Sequence, residues 1–235
     1  MTKTIEDKEL GTIVFSKNTR AKRLIIKLKD DCIAVTLPCH STYDEAMKFV
    51  QSKREWIIAN KHRADKKQKL INNTEPLQTL TFRVQVTPAE RKNYFISLKN
   101  NILTINYPQQ LSPESENAQA IFRQAVENAL RHEAKRILPA MLKNLADKYG
   151  FKYDNVKISS SKGRWGSCSS RSNINLSYFL LTLPEHLIHY VLLHELCHTR
   201  EMNHGTAFWR LLDSVTGNRA KALAAEIKKY RTSFS

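Results

Sequence analysis

Two histidines four residues apart lie inside an apolar stretch that has the length of a buried helix. The stretch covers residues 184–199 and contains the sequence His194-Glu195-Leu196-Cys197-His198. In a helix, residues four positions apart point about 40° from each other, one turn along the axis. Both imidazoles therefore lie on one face, where they can reach the same metal ion.

The glutamate inside this motif lies close to the histidine face. Glu195 is about 100° from His194 and about 60° from His198 around the helix axis. At these angles its carboxylate can take a proton from a water molecule near the metal without binding the ion itself. This geometry is typical of zinc hydrolases, in which the glutamate is the general base.

A third histidine, His204, follows six residues after His198. Some H-E-x-x-H metalloproteases place their third ligand at this interval. A continuous helix would put His204 about 120° around and about 9 Å along from His198, too far to share the ion, so we expect the helix to end before it. Asn203 and Gly205 tolerate the left-handed conformation that such a turn would need. Glu201 is an alternative acidic ligand.

Two further segments accompany the motif. Residues 161–168 read Ser-Lys-Gly-Arg-Trp-Gly-Ser-Cys, and residues 173–176 read Asn-Ile-Asn-Leu. With the histidine motif and the pair Phe208-Trp209, they resemble the YgjP-like metallopeptidase family, relatives of the SprT-like zincins. N-terminal residues, including those at 20–23, also fit, so the resemblance extends over nearly the whole chain.

The resemblance implies a zinc-dependent hydrolase with a compact gluzincin-like catalytic domain. It implies His194, His198 and His204 as the metal ligands. It says little about the substrate.

Lys162, Arg164 and Ser167 are candidate substrate-binding residues. Residues 164–166 lie between two β-prone stretches, which predicts a hairpin whose second strand leads toward the histidine helix. In zincins, a strand beside the cleft pairs with an extended substrate, and these three side chains could bind a carboxylate or a phosphate there. Alternatively, Arg164 caps a loop or pairs with an acid, and Trp165 packs in the core.

Other ionisable residues near the motif favour ordinary roles. His186 and His189 lie about 280° and 220° from His194 around the helix, away from the metal face. Tyr190 lies one turn before His194 and could support its ring, although core packing is the simpler interpretation. Cys197 reads as a small core residue.

The chain of 235 residues has 38 Lys and Arg against 22 Asp and Glu, a formal net charge of +16. Such an excess attracts polyanions. It keeps two alternatives to a zinc metallopeptidase open: a nucleotide phosphoanhydride hydrolase that uses the same metal site, and a basic nucleic-acid-associated protein with a structural zinc. We expect a peptide, protein or nucleotide as substrate, and weak association with polyanions or nucleic acid.

The cysteines and the N-terminal residues indicate the cellular compartment. The four cysteines form no C-x-x-C pair, so we expect reduced thiols. No secretory signal is apparent, and no apolar run approaches the ~18 residues of a membrane span. These features predict a cytoplasmic protein without a membrane partner.

The pattern along the chain predicts an α+β fold. Short β-type stretches surround one helix over residues 41–57, and a long helix over residues 120–149 ends at Gly150. Asp30-Asp31 and Asn100-Asn101 each predict a turn between two β-type stretches, and a basic run over residues 61–69 follows the first helix. A polar segment over residues 108–117 separates the two parts. We therefore predict a β-rich N-terminal module, residues 1–107, followed by a zincin-like catalytic domain of the gluzincin type, residues 118–235, that contains the H-E-x-x-H helix. The sequence shows no internal repeat.

Overall fold

The computed structural model describes residues 2–28, 32–65 and 70–232, with the side chains of residues 61–65 left out. The chain divides into two compact units, Met1–Gln68 and Lys69–Ser235. Small sheets and helices alternate in both, as an α+β fold requires. Among the described residues, no helix combines the length and apolarity needed to cross a bilayer.

The first unit contains a four-stranded sheet in the order β1-β2-β4-β3. Its strands are β1 (Thr2–Asp7), β2 (Gly11–Asn18), β3 (Ile25–Leu28) and β4 (Ile33–Pro38). Alternate residues of β2 and β4 point into one core, where Ile13 pairs with Ile33 and Phe15 with Val35, all four fully or almost fully buried. β1 was not predicted, because its residues Thr2–Asp7 are mostly polar and exposed.

Two helices complete this unit, α1 (Tyr43–Ser52) and α2 (Arg54–Asp65). Thr42 caps α1: its hydroxyl accepts from the backbone N–H of Glu45, whose carboxylate accepts from the backbone N–H of Thr42. The single helix predicted over residues 41–57 is broken at Lys53. The basic run of residues 61–69 and the predicted turn at Asp30-Asp31 lie outside the described side chains or residues.

The second unit begins with a three-stranded sheet in the order β5-β7-β6. Its strands are β5 (Arg83–Ala89), β6 (Phe95–Lys99) and β7 (Ile102–Pro108). Asn100 and Asn101 both have positive φ, 49° and 59°, which confirms the tight turn predicted between β6 and β7.

A helix of 34 residues follows, α3 (Glu116–Tyr149). Ser115 caps its start, and Gly150 ends it in the left-handed conformation, φ 69°, as predicted from the sequence. Phe122 and Val126 of α3 share one core with Val84 and Leu103 of the preceding sheet.

Because of this shared core, the boundary between the two units does not lie in the predicted segment, residues 108–117. The rings of Tyr94 and Tyr107 lie 6.3 and 6.0 Å from the ring of Phe122, so β5–β7 cover the apolar face of α3. The predicted module of residues 1–107 thus joins one whole unit to the first sheet of the other. The second unit accordingly begins well before residue 118.

The rest of the second unit forms a third sheet and three helices. The strands are β8 (Asn155–Ser159), β9 (Gly166–Cys168) and β10 (Asn173–Ser177), in the order β8-β10-β9. A short 3₁₀ segment over residues 178–182 leads to α4 (Glu185–Cys197), which is followed by α5 (Thr206–Thr216), α6 (Ala220–Glu226) and a last 3₁₀ turn over residues 227–229.

One strand arrangement occurs three times. In β2–β4, β5–β7 and β8–β10, the first strand is parallel to the third and the second is antiparallel to the third. A helix follows the third strand each time. The sequence showed no repeat because the three groups share a pairing pattern, not a series of amino acids.

Candidate metal centre

Helix α4 is buried on nearly every side. Most of its residues from Leu187 to Cys197 are buried, and those that remain partly accessible include His194. Pro184 and Glu185 form the start of the helix, where proline and an acidic side chain are favourable. The apolar run seen in the sequence thus supplies a rigid, packed support for its few polar residues.

The three histidines of the motif region meet at one point. The Nε2 atom of His198 lies 3.2 Å from Nε2 of His194 and 3.1 Å from Nε2 of His204, and the remaining pair is also 3.1 Å apart. Among the described residues, these three form the one group of His, Cys, Asp or Glu side chains close enough to hold an ion. The structure therefore brings together the ligands predicted from the spacing.

The chain turns sharply after α4 to bring His204 back. The helix ends at Cys197, and the backbone N–H groups of Thr199 and Arg200 donate to the carbonyls of Leu196 and Cys197, both at 3.0 Å. The predicted end of the helix before His204 is confirmed.

The left-handed conformation predicted for Asn203 and Gly205 at this turn is wrong. Neither Asn203 nor Gly205 has positive φ, and Gly205 is extended, with φ −76° and ψ −174°, where it precedes α5. A 3₁₀-type turn directly after the helix reverses the chain, so the two residues need no special conformation.

Hydrogen bonding fixes the orientation of one imidazole. Nδ1 of His198 lies 3.0 Å from the carbonyl oxygen of Glu201. Because a carbonyl oxygen only accepts, Nδ1 carries the hydrogen and Nε2 of the neutral ring presents its lone pair. Glu201, considered as an alternative ligand, thus contributes its backbone. Nδ1 of His194 is buried without a hydrogen-bond partner, and the Tyr190 ring lies 5.9 Å from the His194 ring, centroid to centroid.

Phe208 packs against all three imidazoles. Its ring centroid lies 5.0, 4.6 and 4.7 Å from those of His194, His198 and His204, and it stacks on His198 with an interplanar angle of 26°. Phe208 is fully buried at the start of α5. It closes the side of the cluster that faces the core, a role that its place four residues after His204 could have suggested.

The surroundings keep the imidazoles of His194 and His198 neutral. Burial, together with the neighbouring rings of His198 and His204, lowers the pKa of His194 to about 3. Burial also lowers the pKa of His198, and the nearby His204 adds to this, although the hydrogen bond to Glu201 opposes it. Neutral imidazoles are the form that binds a metal ion.

Glu195 is 5% exposed and lies against the third sheet. Burial raises the pKa of its carboxyl to about 8, and the positive charge of Arg164 opposes part of that rise. Its Oε2 atom is buried without a hydrogen-bond partner. A Cβ atom on Gly166 would lie 2.7 Å from both Cγ and Oε1 of Glu195, so only glycine fits at the start of β9.

The hairpin predicted around residues 164–166 is wrong, because the strands before and after them, β8 and β9, do not pair with each other. β9 and β10 form an antiparallel pair joined by residues 169–172, where Ser172 has φ 56° and donates from its N–H to the carbonyl of Ser169 at 2.9 Å. Residues before Gly166 instead form the approach to β9. The second strand of the observed hairpin, β10, is followed by the 3₁₀ segment and then α4.

The three candidate substrate-binding residues lie in different surroundings. The Lys162 ammonium group is 3.2 Å from Oε1 of Glu127, an ion pair with α3. Arg164 is exposed and close enough for its charge to act on Glu195. Ser167 pairs with Asn175 in mid-strand. Since side chains alternate along a strand, its hydroxyl points away from the face on which Gly166 meets Glu195.

A model of the YgjP-like metallopeptidase domain matches residues 22–230 of this sequence. The chain belongs to the YgjP-like metallopeptidase family. It is therefore a hydrolytic metallopeptidase, a class that depends on a divalent metal and acts on peptides.

Other comparisons give more limited similarity. The metallopeptidase zymogen abylysin of Pyrococcus abyssi is 28% identical, covering 40% of this chain and 94% of that one, with a TM-score of 0.35. The metallopeptidase zymogen jannalysin of Methanocaldococcus jannaschii is 23% identical, covering 39% and 93%, also with a TM-score of 0.35. A comparison with curated proteins gives no match.

One arginine of this YgjP-like domain anchors the turn after α4, and sequence reasoning missed it. A guanidinium nitrogen of Arg200 donates to the carbonyl oxygen of Gly150 at 2.6 Å, and the same group lies 4.3 Å from the centroid of the Phe151 ring. Both partners follow the end of α3. The turn that carries His204 is thus attached to a second helix.

The remaining ionisable residues of α4 lie away from the imidazole cluster, as predicted for them. His186 contacts Glu226 of α6, with 2.8 Å between Nε2 and Oε1. Cys197 is fully buried, and burial raises the pKa of its thiol to about 12. Burial and the charge of Glu195 raise the pKa of Cys168 to about 11, so this thiol stays protonated beside the glutamate.

Proposed function

We propose that this YgjP-like protein is a zinc-dependent peptidase in which His194, His198 and His204 hold the metal and Glu195 is the general base. The observation that carries the proposal is the triangle of Nε2 atoms, each 3.1–3.2 Å from the other two. Zinc bound tetrahedrally by nitrogens at about 2.0–2.1 Å requires ligand separations of about 3.3 Å. The triangle fits that requirement.

The chemistry of the donor set agrees with this assignment. Three imidazoles whose Nε2 atoms converge on one point present three nitrogen donors there, which favours a cation. Zinc is well suited to an all-imidazole site, while affinity alone does not separate it from copper or nickel. Bound zinc supplies Lewis-acid polarisation of a peptide carbonyl and of water.

Glu195 would take the proton from the attacking water and pass it to the leaving amine. Its raised pKa, about 8, makes its carboxylate a stronger base than an exposed glutamate. The positive charge of a bound metal would lower that pKa again and so provide the ionised form at neutral pH. The buried, unpartnered Oε2 atom is the acceptor that this role needs.

β9 would hold the peptide beside Glu195. It is an edge strand of its sheet, so the side away from β10 offers backbone groups to an extended substrate. We propose Arg164 and Lys162 as substrate-binding residues in the segment before β9. Ser167 would contribute through the strand it belongs to, because its hydroxyl points to the other face.

The number of ligands argues against a structural zinc site. Structural sites are closed by four protein ligands, whereas catalytic sites keep one position open. Within the described part of the chain, the cluster contains three side chains. The open position supports an enzyme over a nucleic-acid-binding protein that uses zinc only to fold.

The test combines metal content with peptide turnover. Glu195→Gln should keep about one zinc per chain and lose about 10²–10⁴-fold in turnover of a casein-derived peptide mixture followed by mass spectrometry. His204→Ala should lose zinc, and His189→Ala, on the same α4 helix but outside the cluster, should not. A Glu195→Gln protein with full turnover, or one without zinc, contradicts the mechanism. Nucleoside triphosphates in a parallel assay test the phosphoanhydride alternative.

A further inference from the structure

A cavity of about 290 Å³ lies between the segment that precedes β9 and the last described residues of the chain. Lys162 and Arg164 were singled out from the sequence, but the C-terminal residues that face them carry no recognisable motif. The lining includes Lys162, Arg164, Trp165, Tyr230, Arg231 and Thr232.

The C-terminal wall of this cavity is held in place. The hydroxyl of Thr232 donates to the carbonyl oxygen of Lys162, and Thr232 is only 8% exposed. The backbone N–H of Tyr230 donates to the carbonyl of Ile227 at 3.1 Å, which fixes the chain as it leaves the last 3₁₀ turn. Hydrogen bonds on both sides of Arg231 therefore hold this part of the cavity wall in a defined position.

The cavity is strongly cationic. Its lining includes three basic residues, and none of the described residues that line it is acidic. Lys162 is paired with Glu127 of α3, whereas neither Arg164 nor Arg231 has an ion pair within the described ranges. Two guanidinium groups are thus available for an anion, and a guanidinium binds a carboxylate through two parallel hydrogen bonds.

The cavity adjoins the proposed general base. Arg164 lies two residues before Gly166, the residue that contacts Glu195, so at most about 7 Å of chain separates them. Two residues of an extended peptide cover the same distance. A group bound in the cavity would therefore belong to a residue close to the bond that is cleaved.

We propose that this cavity binds a carboxylate of the peptide substrate through Arg164 and Arg231, with Trp165 and Tyr230 contacting the carbon atoms that carry it. The inference rests on the proposed peptidase function. The carboxylate is either the C-terminal carboxylate of the peptide or an aspartate or glutamate side chain near the cleaved bond.

Binding to the zinc-loaded Glu195→Gln full chain tests this without turnover. Three related peptides are compared by calorimetry: one with a free C-terminus and no acidic residue, the same peptide amidated, and the amidated peptide with one residue replaced by glutamate. At least one carboxylate-bearing peptide should bind tenfold or more tightly than the neutral one. The peptide that does so identifies the source of the carboxylate.

Variants of one arginine assign the effect to the cavity. Arg231→Gln should remove the difference between the peptides, and Arg231→Lys should retain part of it. Arg219→Gln, an exposed arginine outside the lining, should leave the difference intact. Equal binding of all three peptides, or a difference that survives Arg231→Gln, overturns the proposal. Tighter, Arg231-dependent binding of inorganic triphosphate would also overturn it, since the site would then be a phosphate site.

This design separates the two proposals. If wild-type protein cleaves no peptide but the Arg231-dependent preference is present, the peptidase function fails and the carboxylate site stands. If peptides are cleaved without regard to their charge and Arg231→Gln changes nothing, the peptidase function stands and the carboxylate site fails.

Discussion

Replacing Gly166 by alanine should disable the base without touching the metal ligands. The added Cβ atom would lie 2.7 Å from Cγ and Oε1 of Glu195, where ordinary contacts begin at 3.4 Å. The difference, 3.4 − 2.7, requires the glutamate side chain to move by about 0.7 Å. Its surroundings are closely packed, since Glu195 is 5% exposed, so the carboxylate has little room to move without leaving its place.

A displacement of about 1 Å in a catalytic group costs on the order of 10²-fold in rate, so Gly166→Ala should lower kcat by roughly 10- to 100-fold. The three imidazoles are held by the backbone of α4, by the turn after it and by Phe208, whereas the three atoms nearest to the new methyl group all belong to the side chain of Glu195. Zinc content should therefore remain at the wild-type level. The assay is turnover of the casein-derived peptide mixture, with zinc measured on the same samples.

Gly163→Ala is the matched control, because a Cβ atom there meets nothing within 4 Å and the position has no left-handed φ. Because Gly163 also lines the cavity proposed to bind the substrate carboxylate, the two variants are compared by kcat, which should stay within about twofold in Gly163→Ala. Wild-type turnover in Gly166→Ala would show that the placement of Glu195 does not limit the reaction. Loss of zinc in Gly166→Ala would show that the metal site depends on β9 in a way this reasoning omits.

Other predictions concern stability, metal affinity and unit boundaries. In metal-free protein, Glu195→Gln should be more stable than wild type by roughly 4 kcal/mol at pH 8 and equal to it near pH 4, as measured by urea denaturation. The reason is that the pKa of Glu195 is raised from 4.5 to about 8, so wild-type stability falls as pH rises through that interval. A pH-independent difference contradicts this. Arg200→Ala should weaken zinc binding about tenfold in a chelator competition, since the turn carrying His204 loses its attachment to Gly150, and unchanged affinity would exclude that role. A chain of residues 69–235 should unfold cooperatively on heating, as followed by circular dichroism. A chain that begins at Leu111 should not, because it lacks β5–β7 and so exposes Phe122. Equal melting of the two chains would contradict the boundary of the second unit at residue 69.

Local signals in the sequence predicted much of the structure. The histidine helix, the stop at Gly150 and the turn at Asn100-Asn101 each depend on residues within one or two turns of chain. The imidazole cluster was also predictable, because its three members lie within eleven residues of each other. In such cases the geometry of a helix and of its C-terminal end determines nearly all of the relative positions of the residues.

Features that depend on distant residues were not predictable in this way. The division of the chain depends on Tyr94 and Tyr107 packing against Phe122, and no local pattern states which helix a sheet will cover. The contact between Gly166 and Glu195 joins residues 29 positions apart, and that between Arg200 and Gly150 joins residues 50 apart. β1 was missed because its few apolar residues give a weak strand pattern.

The long helix α3 contacts the segment before β9 through Glu127 and the turn after α4 through the residue that follows its C-terminal end. It therefore acts as a spacer of fixed length between these two segments. Glu127 accepts a hydrogen bond from the Tyr178 hydroxyl and pairs with Lys162, while the residues after its C-terminal end receive Arg200. About 35 Å of helix separates Glu127 from Gly150. One residue inserted between them would rotate one contact by about 100° relative to the other, so that only one could be kept. Substitutions on the exposed face of this segment should be tolerated, but changes in its length should not.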